Sequence, residues 1–383
     1  MAHDKVWSPE LEGLRGLASL WVLLGHICLL VQCRIPLLYD PGMGVDLFIL
    51  LSGYLMAKNY QERREKAPWN SAATIREFWL RRFFRIAPLY YLLLLIALIF
   101  GGVFGDCRDI IASAWPSTQT DASRYADRSL MNILSHVTFI FGALPHYAFR
   151  TVLPDWSIGL EMQFYLLFPF IMLVVMRWGF ALSAVMTMVI CLAARWLLAD
   201  YVDAFPMPSL ILIKLPLFVA GMVMAAAVRE RRPRLLLVAL LAPLCAAWMG
   251  IAVTSVRLGA QWVMIAGMSA LLWQATEGSR LHRAMRLPKR LLTLRISQWL
   301  GDVSYSVYLL HLMIVIPTIA LLVRYSTFEH LPSPVRMLAV ALVCVPVVYL
   351  IAWGLFHRVE KPGIALGRRV ITGKKVQPEQ VMP

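Results

Sequence analysis

The sequence is poor in charge and poorer still in acid. Only 15% of its 383 residues are Asp, Glu, Lys or Arg, and 22 acidic residues face 37 basic ones. With 60% hydrophobic residues and a mean hydropathy of +0.67, a soluble domain of this length would expose too much apolar surface to stay dispersed. Internal repeats, heptad arrays and low-complexity tracts are missing too. Cysteine is sparse: six residues form no CxxC pair and have no ligand spacing with histidines, so no metal is implied. Most of these cysteines lie in apolar runs as packing residues. Cys33 and Cys107 both fall outside the cytoplasm in the topology below, where a disulfide is permitted.

Apolar stretches near twenty residues long fill the chain instead, each able to cross a hydrocarbon core of about 30 Å. They are too long for barrel strands, which leaves helices as the spanning element. The expected fold is an all-α, polytopic transmembrane bundle of ten spans, at approximately 13–31, 44–58, 86–104, 160–176, 180–198, 210–228, 235–254, 260–276, 303–323 and 335–356. The second is short and contains glycine, so it is expected to be tilted, broken or only partly inserted. The first carries His26 in its middle and is followed by no small-x-small cleavage site, so it reads as a membrane helix rather than a signal peptide. Residues 1–362 form one membrane domain, and 363–383 form a basic cytoplasmic tail near the inner leaflet.

The net charge of +15 raises the question of nucleic acid, but its distribution answers otherwise. Loops that alternate onto one side hold 26 Lys and Arg, the opposite loops hold eight, and Arg15, Arg195 and Lys214 sit inside spans. This is the positive-inside pattern, with both termini cytoplasmic and a long outer loop at about 105–159. The partner implied is a lipid bilayer and not nucleic acid.

Ionisable groups inside the spans are costly enough to be informative. Arg15 and His26 are eleven residues apart, about 16 Å of rise and within about 20° of a whole number of turns, so they share one helix stripe. Singly, Arg15 snorkels and His26 bonds a neighbouring helix; together they mark an interior pathway suited to moving a proton. Arg81, Arg82 and Arg85 precede the third span, where they anchor it or bind phosphate at the cytoplasmic mouth. Trp156, Glu161, Gln163 and Tyr165 enter the fourth span from outside. Asp46, Ser52, Tyr305 and His311 complete the candidates, with Ser52 and His311 taken singly reading as packing residues.

These residues lie in LEGLRGLASLWVLLGH, GVDLFILLSGYLM, RRFFRIAPLYYL, WSIGLEMQFYLLFP, DVSYSVYLLH and VEKP, in that order. From about Leu11 to Pro362 the chain resembles the membrane acyltransferase-3 family. The resemblance implies transfer of an acyl group, commonly acetyl, from cytoplasmic acyl-CoA to a surface glycan or related acceptor. It implies activity-bearing roles for Arg15 and His26, donor contacts for Arg81, Arg82 and Arg85, and an acidic role for Glu161. Met162 and Gly159 stand where the family pattern has a second acid and a second serine, so neither carries a catalytic expectation. Glu12 replaces the more usual Asp.

The reading is therefore an acyl-CoA-dependent O-acetyltransferase of the cytoplasmic membrane, with acetyl-CoA as co-substrate, no metal, and a carbohydrate or glycolipid acceptor. His26 serves either as general base or as the acylated group, and the sequence leaves both open. A proton-coupled transporter or flippase also needs intramembrane Arg, His and Glu, but an internal repeat is expected of it and none is evident. A sensor or interaction partner without catalysis is the third possibility, weakened by Arg15 and His26.

Overall fold

The computed structural model describes residues 8–63, 69, 71–250 and 254–373. Lys5, part of the 57–85 loop, part of the 235–254 stretch and the last ten residues of the basic tail lie outside them. All elements of regular structure among the described residues are helices. Seven of these are long and apolar enough to cross a membrane: Pro9–Leu30, Ala72–Ile99, Trp156–Leu197, Ile211–Glu230, Ser255–Leu272, Ser304–Tyr325 and Ser333–Thr372.

Several expected spans take a different form. The 42-residue helix Trp156–Leu197 holds two of them, and the boundary between the two survives as a break at Gly179, whose φ of 78° and ψ of 167° are not helical. The 235–254 stretch is two short helices, Leu235–Ala239 and Ala242–Trp248. Ser333–Leu355 runs through a π-turn at Phe356–Glu360 into Lys361–Thr372. The short second span is the middle of a continuous 23-residue helix, Pro41–Arg63.

The chain divides into two units. The first comprises 1–18, 45–76 and 160–301. Its interior is set by close backbone approach: a Cβ on Gly53 would lie 1.9 Å from the Phe218 carbonyl oxygen, and one on Gly221 would lie 2.2 Å from that of Leu50. The glycines thus seat Pro41–Arg63 against Ile211–Glu230, the small-residue packing that membrane helices favour. Glycine here tightens the helix pair rather than breaking a span. Because backbone blocks the Cβ, Gly53→Ala should cost about 1–3 kcal/mol. A melting temperature in detergent equal to wild type would show that the helices separate freely.

The first unit also carries Arg280–Leu292, whose five basic residues account for most of those expected in the 277–302 loop. The exposed Leu287 and Leu291 lie on the same helix, a combination suited to a membrane surface.

The second unit comprises 19–44, 77–159 and 302–383. Its described core is built around Ala72–Ile99, Ser304–Tyr325 and Ser333–Leu355, with Tyr90, Phe141, Val307, Leu309 and Cys344 excluded from solvent. Gly363 and Gly367 lie against Pro88 and Phe84, so the start of the basic tail packs on the helix that carries the arginine motif. Cys33 and Cys107 are both free thiols, and the Cys33 amide donates to the Cys28 carbonyl. The permitted disulfide is absent.

Candidate active site

His26 stands on Pro9–Leu30 and His311 on Ser304–Tyr325, both within the second unit. His311 is wholly buried, whereas His26 keeps some accessible surface. The His311 Nε2 lies 3.0 Å from His26 Nδ1, and the rings are 4.8 Å apart between centroids.

The surrounding carbonyls assign the protons. His311 Nδ1 is 2.7 Å from the Tyr308 carbonyl and His26 Nδ1 is 2.9 Å from that of Val22. A carbonyl only accepts, so each Nδ1 carries hydrogen. In the neutral pair His311 Nε2 is then a lone pair that shares the His26 Nδ1 proton with Val22. His26 Nε2 is left as a base with no hydrogen-bond partner among the described residues. Singly His311 reads as a packing residue; in the structure it is a hydrogen-bond partner of His26.

The motif around His311 is braced on both sides. Tyr308 donates to the Pro154 carbonyl at 2.9 Å and meets the Ser157 hydroxyl at 2.6 Å. Ser306 donates to Glu360 at 3.0 Å, tying DVSYSVYLLH to VEKP. Tyr305 donates to the Ile86 carbonyl at 2.9 Å, which makes it a strut between helices. Trp156 is buried at the start of its helix.

The arginine motif lies in the same unit but is not uniform. Arg81 is engaged by Glu77 one turn earlier, and Arg82 lies 5.7 Å from the centroid of Phe78. Arg85 makes no ion pair among the described residues.

Asp155 opens the same segment. It is buried, accepts from Thr151 at 2.8 Å and lies 3.6 Å from His136 Nε2. Burial pushes its carboxyl above the ordinary range, against opposing contributions from His136, Thr151 and Arg124. Below the ordinary carboxylate pKa, folded and unfolded chains are both protonated. Between that value and the raised one only the folded chain keeps its proton, so stability falls as pH rises through this window and levels off above it. Asp155→Asn should flatten that slope in melting temperatures taken from about pH 4 to pH 7. An unchanged slope would place its origin elsewhere.

The first unit holds the other candidates. Arg15 pairs with Glu12 at 3.0 Å, one turn earlier on its helix, with both side chains mostly buried. Gly13 and Gly301 bring that turn against residues 292–301, and Gln298 donates to the Pro9 carbonyl at 2.7 Å. Glu161 accepts from Ser52 at 3.3 Å and from Tyr165, so these three candidates form one cluster. Gln163 instead clips backbone: its amide donates to the Ser209 carbonyl at 2.9 Å and accepts from the Ile211 amide at 3.1 Å.

Asp46 is wholly buried and accepts from Lys214 at 2.8 Å, Arg257 at 2.9 Å and Gln261 at 2.7 Å. It fastens three helices, and it explains why Lys214 tolerates the interior of a span.

The described residues thus form a multi-helix membrane protein with a hydrogen-bonded histidine pair in its second unit. The sequence profile of the acyltransferase domain matches residues 8–353, and the chain belongs to that acyltransferase-3 family. It is similar to the peptidoglycan O-acetyltransferase OatA of Listeria monocytogenes, 28% identical over 52% of this chain and 30% of that one. It is also similar to the putative membrane-bound transacylase BcsY of Komagataeibacter xylinus, 32% identical over 41% and 35%. The putative peptidoglycan O-acetyltransferase YrhL of Bacillus subtilis is 27% identical over 49% and 27%. The chain thus aligns with about a third of each relative's length. No solved structure matches it.

Proposed function

We propose that the protein is an integral membrane O-acyltransferase that moves acetyl from cytoplasmic acetyl-CoA to a hydroxyl of an extracytoplasmic carbohydrate. The observation that carries the reading is the hydrogen-bonded His26–His311 pair with the Nε2 of His26 left as a base. In this scheme Nε2 takes the proton of the acceptor hydroxyl as its oxygen attacks the thioester carbonyl. The new O–C bond forms, the C–S bond breaks, and the CoA thiolate recovers a proton from His26. His311 accepts a hydrogen bond from the imidazolium while it lasts, which favours its formation. The similarity to the peptidoglycan O-acetyltransferase OatA and the putative one YrhL supports acetyl as the group and a glycan as the acceptor.

Arg85 and Arg82 are the donor contacts in this reading, since guanidinium forks suit the phosphates of CoA. Arg81 contributes less because Glu77 already engages it. Purified protein given acetyl-CoA and envelope glycan should release one CoA thiol per alkali-labile acetyl ester formed. Arg85→Gln should raise the KM for acetyl-CoA about tenfold at similar kcat. An unchanged KM returns Arg85 to anchoring the helix. Both termini are cytoplasmic in this proposal and 105–159 is outside, so topology reporters fused within 110–130 and after the last residue should respond oppositely.

A further inference from the structure

Two arginines of the 105–159 segment are buried without an ion pair among the described residues. Arg108, on Gly101–Ala114, is 6% exposed and Arg124 is 7% exposed. Neither makes an ion pair with a described residue. Arg108 donates to the Thr118 carbonyl, and its Nε has no hydrogen-bond partner. Arg124 donates from Nε to the Thr151 carbonyl at 3.0 Å, and its guanidinium lies 3.6 Å over the Phe149 ring. The two cations lie within electrostatic range of each other and of His26, and Asp155 lies within range of Arg124.

Burying a guanidinium costs far more than a carbonyl returns unless an anion accompanies it, and two like charges raise the cost. The acids nearby attract these cations but form no ion pair with either one. Asp109 is exposed and accepts from Gln119. Asp155 accepts its hydrogen bond from Thr151 and faces His136. If these residues only tied loops together, a neutral donor would hold Thr118 and Thr151 at lower cost.

We propose that Arg108 and Arg124 form an anion subsite for the acceptor, holding a carboxylate or phosphate of the glycan so that a neighbouring hydroxyl reaches His26. The inference rests on the acyl-transfer reading and adds to it a substrate class: acidic or phosphate-bearing glycans over neutral ones. The sequence counts both residues only as outer-loop cations. What sets them apart is their burial, which no spacing reveals.

The test uses full-length protein with three preparations of one envelope glycan: untreated, with carboxyls converted to amides, and with phosphates removed. Wild type should lose about tenfold or more in kcat/KM on one neutralised glycan, and which one identifies the anion. Arg108→Gln and Arg124→Gln should lose a similar factor on untreated glycan, mainly through KM, with no further loss on the neutralised one. The corresponding lysine variants should fall between. Equal use of all three glycans by wild type would overturn the subsite without needing any variant to fold. So would glutamine variants that lose the same factor on every glycan, the mark of a structural role. No transfer by wild type to untreated glycan would instead sink the acyl-transfer reading on which the subsite rests.

Discussion

His26→Gln is expected to insert and fold normally yet lose acetyl transfer by about 10²–10⁴, the usual worth of a positioned general base. Glutamine can still donate to the Val22 carbonyl, so hydrogen bonding within the helix is largely kept while the base is lost. His311→Gln separates the two roles. If His311 only packs, a side chain of similar size leaves the rate near wild type. If it sets the tautomer of His26 and receives its hydrogen bond, kcat should fall by about tenfold or more at similar KM for acetyl-CoA. Initial rates at matched amounts of folded protein decide between them, and near-wild-type turnover in His26→Gln removes the general-base assignment.

Asp46→Ala is expected to have the largest effect on stability. The carboxylate is wholly buried and bonds two cations and an amide from two other helices, with side-chain exposures of 5% for Lys214 and 11% for Arg257. Removing one partner of a buried ion pair costs about 3–5 kcal/mol, because the remaining charge stays out of water. Membrane abundance and the melting temperature in detergent should both drop sharply. Asp46→Asn, which keeps acceptor and shape but not charge, should be less severe. An Asp46→Ala protein as stable as wild type would mean that Lys214 and Arg257 find other compensation without rearrangement.

Hydropathy and charge made the helical membrane class legible because both depend on local composition, which tertiary packing does not override. Boundaries were legible where glycine or proline punctuated them, as at Gly179, where a three-residue loop shrinks to one non-helical residue. In the second helix a glycine suggests a break from sequence alone, whereas Gly53 sits in a continuous helix and admits the carbonyl of another. The same limit hid the pairing of His311, which meets His26 across 285 positions that no periodicity links. Glu161 and Tyr165 lie one turn apart in one segment, but Ser52 joins them from 109 positions away. Gln163 looked as costly as Glu161 at the start of a span, and only the backbone it clips shows the difference.

In the proposed reaction acetyl passes from CoA on the cytoplasmic side to a hydroxyl outside, with His26 as the base. Sealed proteoliposomes with the cytoplasmic face inward, loaded with radiolabelled acetyl-CoA and supplied with envelope glycan outside, test it most directly. Alkali-labile label is expected on the outer glycan with wild type, and at least about a hundredfold less with His26→Gln. Label that forms only when donor and acceptor share one side, or that forms equally with the variant, would contradict it.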